Sequence, residues 1–311
     1  MTGTEQELCQ RVAELAGAES VLRLGEPLAR RTTLRVGGRA DCYVEPADES
    51  GLANILRLCR AEGVPVFVMG RGSNLLIRDG GIRGLVICLV RGEFGRIEVN
   101  GGQLRCGAGV RLKLVVQEAR RAGLGGLEFL EGIPGSVGGA LRMNAGAMGS
   151  WTFDAVERIR VMDREGRVSE RGRGEVEVGY RDCSLLRDHI ALGAVFRGER
   201  VSRQEIEDRG QRFNQKRWSS QPAAASAGCI FKNPEALPAG RLIDELGLKG
   251  ARIGGAVVSD VHANFIVNEG QATANDVLRL IAMIQEQARL QRGIELETEV
   301  EIIGEATGTG A

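Results

Sequence analysis

Five glycines between positions 132 and 146, in the run EGIPGSVGGALRMNAGA, constrain this chain more than any other feature. A glycine in regular structure costs roughly 0.5–1 kcal/mol relative to alanine, so such a cluster is expensive as mere connectivity. Missing Cβ atoms let main chain approach a flat or anionic ligand, and Pro134, Ser136 and Asn144 add a rigid bend and two polar groups. A second loop, GRGSNLL at 70–76, follows a buried strand expected at 65–69. Main chain bent at Gly-x-Gly can present amide N–H groups to an anion. This loop is no Rossmann fingerprint, because Leu75 takes the third glycine position and no amphipathic helix follows. It is no P-loop either, since the chain has no Gly-Lys dipeptide. Alone it reads equally well as a tight turn. Two glycine-rich loops with no basic companion motif suggest a dinucleotide whose pyrophosphate is held largely by amides.

Several function classes drop out. At 311 residues the chain suits two or three domains, and 43% hydrophobic with 26% charged residues supports a sizeable core. Basic and acidic residues balance at 41 each, which argues against a general nucleic-acid binder. No run approaches the ~18 apolar residues of a membrane span. The opening MTGTEQELCQRVAELAG lacks a secretory pattern, so a cytoplasmic protein is expected. Seven scattered cysteines without a CxxC pair read as mostly packed thiols in a reducing compartment. With only His189 and His262 present, no metal site is expected.

Hydrophobic spacing lays out the elements. Helices are expected at 5–17, 48–62, near 111–122, over the charged segment 201–218 and at 273–293. In the last, Val277, Leu280, Ile281, Ile284 and Ala288 form one stripe, with Thr273 as cap and Gly293 as stop. Strands are expected at 41–46, 65–69, 84–90, 95–99, 103–106, 156–162, 167–171, 191–197 and 294–303. QPAAASAG at 221–228 reads as a flexible entry to a new unit. The pattern is α+β, with a domain break near 200.

Seven motifs then occur in order: GRGSNLLIRDGGIRGLVI, GLEFLEGIPGSVGGALRMNAGA, GYRDC, SAGCIFKNP, RLIDELGLKG, VSDVHANFIVN and GIELETEV. Together, from about Thr32 to Ile303, they resemble the UDP-N-acetylenolpyruvoylglucosamine reductase (MurB) family. The resemblance implies an FAD-binding domain of the vanillyl-alcohol oxidase (PCMH) type in two α+β subdomains at 34–198. Residues 1–33 would be an N-terminal helix and lead-in, and 199–311 an α+β substrate domain. It implies non-covalent FAD, NADPH as hydride donor, a UDP-sugar substrate, and a monomer with no nucleic-acid or membrane partner. The only tyrosines are Tyr43 and Tyr180, so the lid tyrosine of some reductases is absent and the shorter, lidless subtype is expected.

The resemblance also assigns roles. Gly70, Arg71, Gly72, Ser73, Asn74 and Leu75 from the first loop would hold the cofactor. So would Ile133, Pro134, Gly135, Ser136, Gly138, Gly139, Asn144 and Gly146 from the second. Tyr180, Lys232, Asn233 and Arg241 would contact the substrate, with Lys216 and Arg217 in looser register. NADPH would reduce FAD, and hydride would then reach the β-carbon of the enolpyruvyl ether, pushing negative charge toward the α-carbon and its carboxylate. Arg181 would pair with that carboxylate, Glu299 would hydrogen-bond to it while protonated, and Cys229 would protonate the α-carbon. Cys229 stands where many members of the family carry serine. A free thiol with a pKa of about 8.5 remains mostly protonated at neutral pH, yet is a stronger acid than an alcohol. Without the resemblance, Arg181 would read as a surface arginine, Glu299 as a solvated carboxylate and Cys229 as a small packed residue. His262 and Asn264 read as residues that order loops. An FAD-dependent oxidase acting on an alcohol or sugar acid would share both glycine-rich loops but does not need the SAGCIFKNP and LETEV motifs. A non-catalytic flavin or nucleotide-sugar binder would not need Arg181, Cys229 and Glu299 together.

Overall fold

A computed structural model describes residues 3–307. The chain divides into two compact units that interleave along the sequence. One comprises the residues up to Gly25, Asp41–Arg71 and Gly84–Arg217; the other comprises Glu26–Ala40, Gly72–Arg83 and the residues from Trp218 onward. The contiguous ranges 34–198 and 199–311 read from the sequence therefore differ from the contact-based units. The reason is local: Leu75–Ile77 pairs in parallel with Glu301–Ile303, which ties the 72–83 segment to the C-terminal unit.

The first unit has two sheets with separate cores. One sheet has the strand order Val21–Leu24, Ala40–Glu45, Ile82–Cys88, Val66–Met69. Its core combines Val44, Leu85 and Ile87 with Val12 of the helix Gly3–Ala16 and Leu52, Ile55 and Leu56 of the helix Glu49–Glu62. The Asp48 carboxylate caps the second helix by accepting from the Gly51 amide at 2.7 Å, and Gly63 ends it at φ +66°. Cys9 and Cys42, read from sequence as packed thiols, are joined in a disulfide because the N-terminal helix sets their Cα atoms 5.8 Å apart.

The other sheet is antiparallel, in the order Val168–Gly172, Val156–Met162, Ile190–Arg197, Gln103–Gly107, Ile97–Asn100. Its core joins Leu104, Ile159, Val161 and Phe196 to the helix Leu112–Arg121 through Val115 and Val116. The glycine-rich stretch after Gly123 is ordered by a 3₁₀ turn at Glu128–Gly132 and a short helix at Val137–Arg142.

The second unit is built on the antiparallel sheet Ala225–Cys229, Phe265–Asn268, Ala256–Val258, Arg252–Ile253. The helix Ala274–Arg292 buries the expected stripe; Val277, Leu280, Ile281 and Ile284 each contribute about 1.5–3 kcal/mol relative to exposure. Thr273 accepts from the Asp276 amide at 3.1 Å, and Gly293 closes the helix at φ +64°. Two expectations change here. Residues 225–229 form a strand rather than a flexible entry, since small side chains do not stop the backbone from pairing with Phe265–Asn268. Only Glu301–Ile303 of the 294–303 run is a strand, because Lys232 and Glu299 divert its main chain into isolated bonds.

Among the described residues no helix is long and apolar enough to cross a membrane.

Candidate active site

Within the first unit, Gly70 at the head of one glycine-rich loop meets the other loop. A Cβ on Gly70 would stand 2.8 Å from the Ser136 Oγ and 3.9 Å from the Gly139 amide nitrogen. Ser136 is buried and occupies the N-cap position of the short helix Val137–Arg142, where its side chain makes no capping bond. The loop around it is fixed by main chain: the Leu112 amide donates to the Gly135 carbonyl at 3.2 Å, and Gly138 N donates to Ala108 O at 2.8 Å. Ile133 closes the preceding turn through Leu130 O at 3.1 Å, followed by exposed Pro134.

Arg71 and Arg111 add positive charge here. Arg111 makes an isolated bridge to Ser136, and Arg71 is an exposed residue. Partial desolvation, and secondarily the Arg111 charge, hold the Arg71 pKa below its ordinary value. Among the described residues, the amides of Arg71, Gly72 and Ser73 donate to no protein acceptor. The bare Gly70 α-carbon, the unpaired Arg71 amide and two guanidinium groups suit an FAD diphosphate. Arg111 carried no sequence signal beyond its charge.

Arg181 sits at the second corner of a two-residue hairpin turn. Val178 pairs with Cys183 and Gly179 with Asp182, leaving Tyr180 and Arg181 as the turn. Arg181 has φ +58°, a left-handed conformation costing an L-residue about 1–2 kcal/mol. Asn144, buried and itself left-handed at φ +37°, steadies the turn by donating to the Gly179 carbonyl at 3.1 Å. Its side-chain oxygen accepts from the Phe153 amide at 3.3 Å. The Arg181 Cζ lies 5.6 Å from the Trp151 ring centroid and 5.4 Å from that of Tyr180. The two rings meet edge-on at 5.8 Å. Gly146 has a local reason to be glycine: a Cβ there would come 2.4 Å from Trp151 Cε3. Trp151 escaped the sequence reading, although a rare aromatic just after the second glycine-rich loop was a usable signal.

Within the second unit, Cys229 and Glu299 are brought together through the main chain. The ladder between Ala225–Cys229 and Phe265–Asn268 changes register between Ser226 and Cys229. Gly228 takes φ +80° there and absorbs the irregularity, which re-aims the half-buried Cys229. The next carbonyl, Ile230 O, accepts from Glu299 N at 2.7 Å and from Val300 N at 3.3 Å. The Glu299 carbonyl accepts from Asn74 Nδ2 at 3.0 Å, and Glu301 N donates to Asn74 O at 3.0 Å. Asn74, with buried Leu75 beginning the next strand, thus ties the first glycine-rich loop to the Glu299 segment.

The expected substrate contacts are mostly engaged in local bonds. Lys232 Nζ lies 3.0 Å from Glu297 Oε2, Asn233 Oδ1 accepts from Ala239 N at 3.0 Å, and Arg241 pairs with Glu245 at 2.8 Å. Arg217 donates to Glu131 O at 3.3 Å in the first unit. Asn264 brackets Phe231, accepting from its amide at 2.9 Å and donating to its carbonyl at 2.8 Å. Burial holds the His262 pKa down, consistent with Nδ1 accepting from the Asn264 amide at 3.2 Å. The buried thiols are packing groups: burial raises Cys106 to about 12, and burial with Glu62 raises Cys59 to about 11.

The profile described as "UDP-N-acetylenolpyruvoylglucosamine reductase, C-terminal domain" matches residues 221–303, and "FAD binding domain" matches 40–172. The chain is 48% identical over 294 residues to the UDP-N-acetylenolpyruvoylglucosamine reductase of Geobacter metallireducens, covering 94% of this chain and 96% of the relative. This chain belongs to the UDP-N-acetylenolpyruvoylglucosamine reductase family. The Pelobacter propionicus reductase is 45% identical, with 92% of this chain and 96% of the relative covered. The crystal structure of the reductase (MurB) from Thermus caldophilus aligns with a TM-score of 0.80 at 41% identity, covering 91% of this chain and 98% of that one. The α+β architecture with an FAD-binding domain is therefore that of a MurB-family oxidoreductase, and FAD is its cofactor.

Proposed function

We propose that the protein reduces the enolpyruvyl ether of UDP-N-acetylglucosamine to UDP-N-acetylmuramate, with NADPH as electron source, in peptidoglycan precursor synthesis. The reading takes the enzyme to be a cytoplasmic monomer with non-covalently held FAD. It assigns 34–198 to flavin binding and 199–311 to substrate binding. The observation that carries it is the Gly228 bulge, which presents Cys229 where the next carbonyl also receives the Glu299 amide.

Bound FAD supplies the hydride for the β-carbon of the enolpyruvyl group. Arg71, Ser136 and the amides of the first glycine-rich loop would hold its diphosphate, with the loop at 133–139 alongside. The chain's own side chains manage the charge that results. Arg181 holds the substrate carboxylate, and its pull strengthens as negative charge spreads from the α-carbon. Glu299 assists at the same carboxylate. The Cys229 thiol transfers its proton from Sγ to the α-carbon, and solvent returns a proton to the thiolate. Tyr180, Lys232, Asn233 and Arg241 contact the sugar nucleotide, which requires Lys232 and Arg241 to exchange their present carboxylate partners for phosphate.

The visible spectrum of the purified protein tests the reading. Yellow absorbance should bleach with NADPH and return when the enolpyruvyl sugar nucleotide is added without oxygen. A colourless protein that binds no added FAD, or a bleached one that the substrate leaves unchanged, refutes it.

A further inference from the structure

We infer that Trp151 is a positioning residue for Arg181, and through it selects ligands that carry a carboxylate. The inference rests on the proposed pairing of Arg181 with the substrate carboxylate. A long arginine side chain at a hairpin corner samples many rotamers unless something holds it. Here Trp151 and Tyr180 meet edge-on and together form a corner beside the guanidinium carbon, at 5.6 and 5.4 Å from their ring centroids. Their electron-rich faces attract the cation. The two rings do not serve alike. Tyr180 is 46% exposed and adjacent to Arg181 in the same turn, so it moves with the arginine. Trp151 comes from a separate segment and is half-buried.

That segment is itself fixed. The Trp151 ring rests on bare Gly146, where a Cβ would intrude to 2.4 Å, and its amide donates to Asp154 Oδ2 at 2.7 Å. Ser150–Trp151 pairs antiparallel with Gly146–Ala147, with Trp151 opposite Gly146. The hairpin turn is steadied independently by Asn144 through the Gly179 carbonyl. Trp151 is therefore the rigid wall against which Arg181 is set. Its place in the fold does not require it to touch the substrate.

The test is calorimetric titration of the oxidised, FAD-loaded enzyme with two ligands: UDP-N-acetylglucosamine, which lacks the carboxylate, and its enolpyruvyl ether, which has it. Trp151→Leu and Trp151→Gln should weaken the enolpyruvyl ligand about tenfold and leave the other within about twofold, the scale of a lost cation–π pair. Trp151→Phe, which keeps a ring, should restore most of the difference. NADPH-driven bleaching should proceed at the parental rate in all three. Equal weakening of both ligands, or no weakening of either, overturns the positioning role. Arg181→Gln separates the two ideas. If it fails to discriminate between the ligands, the carboxylate reading itself is wrong; if it discriminates and the tryptophan variants do not, only the positioning role falls.

Discussion

The hairpin that carries Arg181 and the strand that carries Cys229 solve one problem in opposite ways. Each must hold a polar side chain in a fixed direction at a backbone irregularity. In the strand, Gly228 takes the left-handed conformation at φ +80°, and Cys229 follows in ordinary pairing with Phe265. In the hairpin, Arg181 itself takes φ +58°. The strand gives its strain to a residue with no side chain, while the hairpin leaves it on the residue proposed to act. Where the side chain can be displaced by one position, glycine absorbs the bend. Where the turn corner is the place from which it projects, the strain stays and neighbours offset it: Asn144 on the Gly179 carbonyl and two rings beside the guanidinium.

Substitutions at three positions probe that contrast. The largest effect is expected at Cys229. Cys229→Ala should slow flavin reoxidation by the enolpyruvyl substrate by about 10²–10⁴-fold, the usual worth of a general acid, with NADPH-driven reduction unchanged. Cys229→Ser should keep substantial activity. Stopped-flow flavin absorbance separates the half-reactions, and equal losses in both would remove the proton-donor role.

Arg181→Gly comes next. Reoxidation should fall by about 10²-fold with the loss of the charge-assisted pair. Unfolding free energy should hold or rise by up to about 1 kcal/mol, because glycine relieves the left-handed turn. A variant that loses both activity and stability would show that the turn is not strained.

The smallest effect is expected for Gly228→Ala. An alanine meets no atom within 4 Å at that position, so the cost is conformational, about 1–2 kcal/mol in denaturant unfolding. Reoxidation should slow modestly as Cys229 is re-aimed, with flavin reduction unaffected. An alanine variant as stable as the parent would remove the bulge from the account.

Much of this was readable before any coordinates. The helix Ala274–Arg292 and its two caps were legible because a 3.6-residue stripe, a threonine and a glycine are local signals. The strand Val156–Met162 was equally plain. Ala225–Cys229 was not, since Ala-Ser-Ala looks like linker until a partner strand satisfies its backbone. The motif assigns Asn144 to the cofactor, and what the motif does not show is that its side chain bonds Gly179 and Phe153. Gly146 was named likewise, and its missing Cβ makes room for Trp151. Arg111 and Trp151 had no motif to announce them.

The sequence by itself determined the helices, most strands, the two glycine-rich loops and the residue types available for chemistry, because propensity, capping and periodicity act over a few neighbouring residues. Only the tertiary structure decided that Ser136 abuts Gly70, that Gly228 bulges before Cys229, that Glu299 bonds beside it, and that Arg181 lies against two rings. Those contacts join residues as much as 70 positions apart, and no local preference encodes a pairing that exists only after distant segments have packed.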